Sequence, residues 1–173
     1  MPEAASIVLN KLFDALRRRL SPTTEVGVRL RDIDAWLDEL PLADARAQAL
    51  DLISKAEWFT TDPGDGSPAL PPEAPPTVRE LYERYRLIRG RFCDLRLVAT
   101  DCAVSTADPS LLRVGWDDAH VELCTGSDGD VVYRVANDVP PDEAREGAVS
   151  SVYHAILRVG AILEYVTPPP AAA

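Results

Sequence analysis

The chain has 173 residues, 46% hydrophobic and 27% charged, with a formal net charge of −10, proportions that exclude a fibrous or intrinsically disordered polymer and allow one ordinary globular core. The negative charge is unevenly placed: from Asp101 onward there are 12 acidic against four basic residues (Arg113, Arg134, Arg145, Arg158), while the first 100 residues are nearly balanced. Such a surplus disfavours nucleic acid and anionic membranes and favours a cationic protein partner.

Leu9, Leu12, Phe13, Leu16 and Leu20 recur at helical spacing, and Ser21-Pro22 ends that stripe. Acid precedes its apolar run and arginine follows it, the reverse of a secretory signal, and no apolar stretch approaches 18 residues, so a cytoplasmic protein without a membrane span is expected. A second stripe (Leu30, Ile33, Leu37, Leu40) follows a Thr23 or Thr24 N-cap and stops at Pro41; a third runs through Ala45, Ala49, Leu52, Ile53 and Ala56 to Trp58-Phe59. Residues 1–59 are therefore expected to be a three-helix segment.

Six prolines and two glycines within residues 60–76 predict a linker or extended surface loop. Thr77 with Glu80 suggests a capping box opening a helix to Arg89, with Gly90 just past its end and Val78, Leu81, Tyr82, Tyr85 and Ile88 inward. From Phe92 the period changes to two. Cys93 to Ala99 form one predicted strand, and faces led by Leu112-Val114-Trp116, Val121-Leu123 and Val131-Tyr133-Val135 give three more, joined by turn residues as an antiparallel meander. Pro140-Pro141 ends the sheet; Val149, Val152, Tyr153, Ile156 and Leu163 then form a closing helix, its polar side carrying Ser150, His154 and Arg158. The fold class is thus α+β: N-terminal helices, then an antiparallel sheet of about four strands flanked by helices. Residues 77–166 make up the α+β binding domain, and 167–173 a disordered tail.

No catalytic or cofactor motif stands out, and no cofactor is implied. His120, Glu122 and Cys124 would share one strand face and could enter a zinc site with a fourth ligand such as Cys102 or Cys93, but the spacing lacks paired ligands, and Cys124 fits a buried apolar position. The three cysteines, an odd number without a CxxC pair, suit buried thiols in a reducing compartment. A Cys-His nucleophile would have to use His120 or His154. Asp62 to Gly66 and Ser127 to Asp130 resemble parts of calcium loops without the terminal glutamate and are read as turns. Arg17 to Arg19, and the arginines from Arg79 to Arg91, are read as solvated helix faces.

The acids are densest in the hairpin region from Asp117 to Asp130, which holds five and no Lys or Arg. Asp117, Asp118, Glu122, Asp128 and Asp130 are the candidate electrostatic contacts to a basic protein partner, with Asp117-Asp118 a solvated hairpin and Trp116 beside them as an aromatic anchor.

The helix PTVRELYERYRLIRG, the hairpins in LLRVGWDDAHVELCTGSDGDVVYRV and the closing helix from SSVYHAIL together resemble the SUKH superfamily over residues 76–165. The family's early tryptophan helix start and its Asn-Gly-Gly turn are absent; Arg89-Gly90 stands where that turn would be. The resemblance implies a non-enzymatic immunity protein that neutralises a toxin domain. Two alternatives stand beside it: a small metal- or Cys/His-dependent hydrolase, and a scaffold that self-associates through the Leu9 to Leu20 stripe.

Overall fold

The computed structural model describes residues 25–55, 59–63, 70–91, 93–118 and 120–169. The first predicted helix, the Thr23/Thr24 cap, Ala56, Trp58 and the end of the tail lie outside them. Among the described residues the elements are α1 (Glu25–Glu39), α2 (Leu42–Ser54), β1 (Phe59–Pro63), α3 (Pro76–Arg84), β2 (Tyr85–Gly90), β3 (Arg96–Val98), β4 (Ala103–Val104), β5 (Leu112–Asp118), β6 (Val121–Thr125), β7 (Val132–Ala136), β8 (Arg145–Val149) and α4 (Val152–Ile162). Single 3-10 turns occupy Ala99–Asp101 and Pro141–Glu143.

The class is α+β as expected, but the antiparallel sheet has eight strands, ordered β1-β2-β3-β5-β6-β7-β8 with β4 also paired to β5. The predicted helix to Arg89 stops at Arg84. At Tyr85 the backbone turns to φ −132°, ψ 119°, while its N–H still bonds the Leu81 carbonyl, and the chain continues directly as β2. Strand partners on both sides, β1 and β3, hold Tyr85 to Gly90 extended, so Ile88 is buried by the sheet and not by a helix face. No capping box forms: Thr77 turns to Asp130, and Glu80 to Arg46 and Tyr153. Part of the supposed linker is β1, whose β-branched Thr60 and Thr61 suit an edge strand and whose Pro63 sits at an irregular end where a missing N–H is tolerated. The predicted strand from Cys93 to Ala99 shrinks to Arg96–Val98.

Helix α4 is buried along nearly its whole length. Its all-round apolar character fits an element covered on every side: Ile33 and Leu37 of α1, Ala45, Ala49, Leu52 and Ile53 of α2, and Ile88, Leu97, Val114, Leu123 and Val132 of the sheet share one core with it. Helices α4 and α2 pack tightly at Gly160, where a Cβ would lie 2.6 Å from Leu52 Cδ2. His154, expected on the solvent side, is fully buried; its Nε2–H donates to the Leu40 carbonyl at 2.8 Å and its Nδ1 lies 2.7 Å from Ser151 Oγ, the helix cap. Arg158 is also buried and meets Asp34 of α1 at 2.7 Å. On the other face of the sheet, Leu111, Cys124, Val135 and Ala144 form a smaller core.

Candidate functional site

Three of the five candidate acids face inward. Asp117, at 6% side-chain exposure, receives a two-point contact from Arg134: Nε to Oδ2 at 2.5 Å and Nη2 to Oδ1 at 3.3 Å, with Arg134 Nη1 reaching Glu146 at 3.0 Å. Burial pulls the pKa of the Arg134 guanidinium down, but the carboxylates of Asp117 and Glu146 outweigh it, and the net shift is upward. Asp118 is buried and accepts the His120 N–H at 3.0 Å. The solvated hairpin expected at Asp117-Asp118 is therefore corrected: Arg134 of β7, 17 residues away in sequence, reaches across β6 to Asp117 of β5, and the turn's own backbone takes Asp118.

Glu122 is fully buried. Ser105 Oγ donates to it at 2.5 Å, Thr106 Oγ1 at 3.0 Å and N–H at 3.3 Å, and Arg113 Nη1 at 3.1 Å. Burial pushes the carboxyl upward, yet the hydrogen bonds from Ser105, Arg113 and Thr106 prevail and hold it below the usual glutamate range. Its task in the fold is to pin the 105–108 loop over the sheet. Asp130 accepts from Thr77 N–H at 3.2 Å and Oγ1 at 2.8 Å, tying the β6–β7 turn to the start of α3. Asp128 is exposed and accepts the Tyr133 hydroxyl. As a continuous acidic surface the hairpin is thus reduced to Asp128 with the edge of Asp130.

Trp116 is half-buried in β5, facing Arg96 of β3 and Glu122 of β6. The Arg113 and Arg96 guanidinium carbons lie 5.0 and 5.6 Å from its ring, within cation–π range. Beside it opens a small cleft of about 230 Å³ whose lining includes Arg89, Asp94, Arg96 and Asp118. Two buried polar atoms of this lining have no hydrogen-bond partner: the Trp116 indole N–H and Asp94 Oδ2. The cleft is thus bordered by residues carrying one unused donor and one unused acceptor, both closed to solvent in the free protein, and by two arginines. Sequence reasoning singled out Trp116 and missed Asp94, Arg96 and Arg113, because only the β3–β5 pairing brings them together.

The alternative metal set is not assembled. His120 lies in the turn before β6 and is exposed, whereas Glu122 and Cys124 are enclosed under the 105–111 loop side of the sheet. Among the described residues no three His, Cys, Asp or Glu side chains gather as a metal site. Burial raises all three thiols, Cys93 and Cys102 to about 11 and Cys124 to about 12, so none is an activated nucleophile. No helix among the described residues is long and apolar enough to cross a membrane. No protein family, curated protein or solved structure matches the chain.

Proposed function

We propose that the chain is a non-enzymatic binding module that engages a protein partner through Trp116 and the cleft beside it. The observation that carries this reading is the pair of unused buried polar atoms, Trp116 Nε1 and Asp94 Oδ2, in a cleft small enough for one side chain of a partner. An unpaired buried donor or acceptor is costly, and a partner group that both accepts and donates would satisfy the two at once. The half-exposed indole supplies the apolar contact typical of an interface anchor.

The net charge of −10 supports a basic partner, drawn in by the field of the whole chain and by Asp128, since Asp117, Asp118 and Glu122 are taken up in internal pairs. The resemblance to SUKH immunity proteins supports the same direction, with a toxin domain as the partner class. The test is a titration of the wild-type protein and of Trp116→Ala against the protein encoded immediately upstream. One-to-one binding by the wild type, weakened at least about tenfold by the substitution, is expected. Absence of binding, or equal binding by Trp116→Ala, would refute the reading.

A further inference from the structure

A second concavity lies at the far end of the β5–β6 hairpin from Trp116, where Leu112 pairs with Thr125, between β4, the start of α3 and the β6–β7 turn. Its volume is about 810 Å³, within the roughly 300–1,000 Å³ of small-molecule sites. Four prolines, Pro71, Pro75, Pro76 and Pro109, form much of its wall. Proline fixes φ, so this wall is shaped before any ligand arrives. Val104 belongs to its lining with 62% of its surface exposed, the more exposed of the two large hydrophobic side chains that stand out to solvent among the described residues.

The polar side chains of the described lining are Glu73, Ser110, Thr125 and Ser127. Thr125 belongs to the lining, is 2% exposed, and its Oγ1 is buried with no hydrogen-bond partner. A hydroxyl left unmade in an apolar wall carries a desolvation penalty that a ligand group could remove. Glu73 is the one ionisable residue among the described lining; no Lys, Arg or His stands there. Three of the first four positions of the adjoining helix have no N–H to give an anion: Pro76 has none, the Thr77 N–H goes to Asp130, and the Arg79 N–H goes to the Pro75 carbonyl.

We propose that this cavity binds a neutral, largely apolar small molecule carrying one hydrogen-bonding group, which pairs with Thr125 Oγ1. The apolar body lies against Val104, Leu112 and the prolines. The site is independent of the Trp116 cleft and stands whether or not that cleft binds a protein.

N-phenyl-1-naphthylamine tests the assignment directly, being neutral, apolar and equipped with a single N–H. Titrated into the full chain, it gives a saturable, blue-shifted emission at one site per molecule. Thr125→Val keeps the side-chain shape and removes the hydroxyl, weakening the probe roughly threefold to tenfold. Val104→Glu, at an exposed position that leaves folding intact by circular dichroism, weakens it by about tenfold or more. The anionic analogue 8-anilinonaphthalene-1-sulfonate binds at least about tenfold less tightly than the neutral probe. Emission that never saturates, an affinity unchanged by Val104→Glu, or equal affinity for the two probes overturns the site or its neutral character. Unchanged affinity in Thr125→Val overturns the role given to the hydroxyl.

Discussion

Arg134 Nε lies 2.5 Å from Asp117 Oδ2, and both side chains are almost completely enclosed, at 5% and 6% exposure. A carboxylate placed in this way serves the fold before it serves any partner. Arg134→Met leaves Asp117 and Glu146 without the guanidinium that meets both, and breaking such a buried pair costs about 3–5 kcal/mol. Asp117→Asn costs less, because Arg134 keeps Glu146 at 3.0 Å. Urea unfolding of the two variants and of the double variant checks this: the double variant falls short of the sum, since the two residues share one interaction. An Arg134→Met protein as stable as the wild type would refute the account.

Glu122 makes stability pH-dependent, and the sign follows from its lowered carboxyl. A group whose pKa is lower folded than unfolded contributes stability above the unfolded value, and that contribution is lost as pH falls through the folded one. Asp108, held low by Ser110 and Arg145, and Glu80, held low by Arg46, act in the same direction. Unfolding free energy is therefore flat near neutrality and declines from about pH 5 downward. Glu122→Gln lowers the neutral plateau by about 1.5–3 kcal/mol, the worth of a charged hydrogen bond, and makes the acid decline shallower. An unchanged slope in the variant would show that Glu122 is not its source.

The sequence pattern carried the central sheet well and its margins poorly. Leu112-Val114 and Val121-Leu123 alternate because the sheet buries one face of them, so β5 and β6 were legible. Arg145 to Ala148 of β8 are exposed and include no large apolar side chain, leaving no periodic trace of an edge strand. Tyr85 to Ile88 fit the helical stripe begun at Val78 equally well, and only pairing with β1 and β3 decides against it. The acids show the same limit. Their number is plain in the sequence, but that Arg134 would face Asp117, or Ser105 and Thr106 would face Glu122, depends on register and loop closure. Trp116 stood out in the sequence; its neighbour on β3, Arg96, did not.

The three free cysteines separate the binding reading from a Cys-dependent enzyme. Burial is the leading cause of the rise in all three, to about 11 for Cys93 and Cys102 and about 12 for Cys124. Thiolate is the reactive species, so at neutral pH its fraction falls roughly two orders of magnitude or more below that of an ordinary cysteine. Native protein is expected to react slowly with 5,5′-dithiobis(2-nitrobenzoate), and unfolded protein to release three equivalents at once. A native thiol reacting at the rate of free cysteine at pH 7 would restore the nucleophile reading.

Gly160 sets how closely α4 approaches α2. A Cβ there would meet Leu52 Cδ2 at 2.6 Å and Val166 Cγ2 at 3.3 Å, and Leu52 is itself 2% exposed with core on its other sides. Leu52 has little free space to move into, so the helices must separate or the side chain must leave its rotamer. Helix propensity alone favours alanine over glycine by about 1 kcal/mol, while overpacking a filled core costs about 1–3 kcal/mol. The steric cost prevails, and Gly160→Ala is destabilised. Leu52→Ala in the same chain provides the space and recovers the part due to the clash, although it opens a cavity of its own. The measurement is a double-mutant cycle by thermal or urea unfolding. Gly160→Ala should cost less in the Leu52→Ala background than in the wild type; an equal or larger cost there would mean that Leu52 is not what confines position 160.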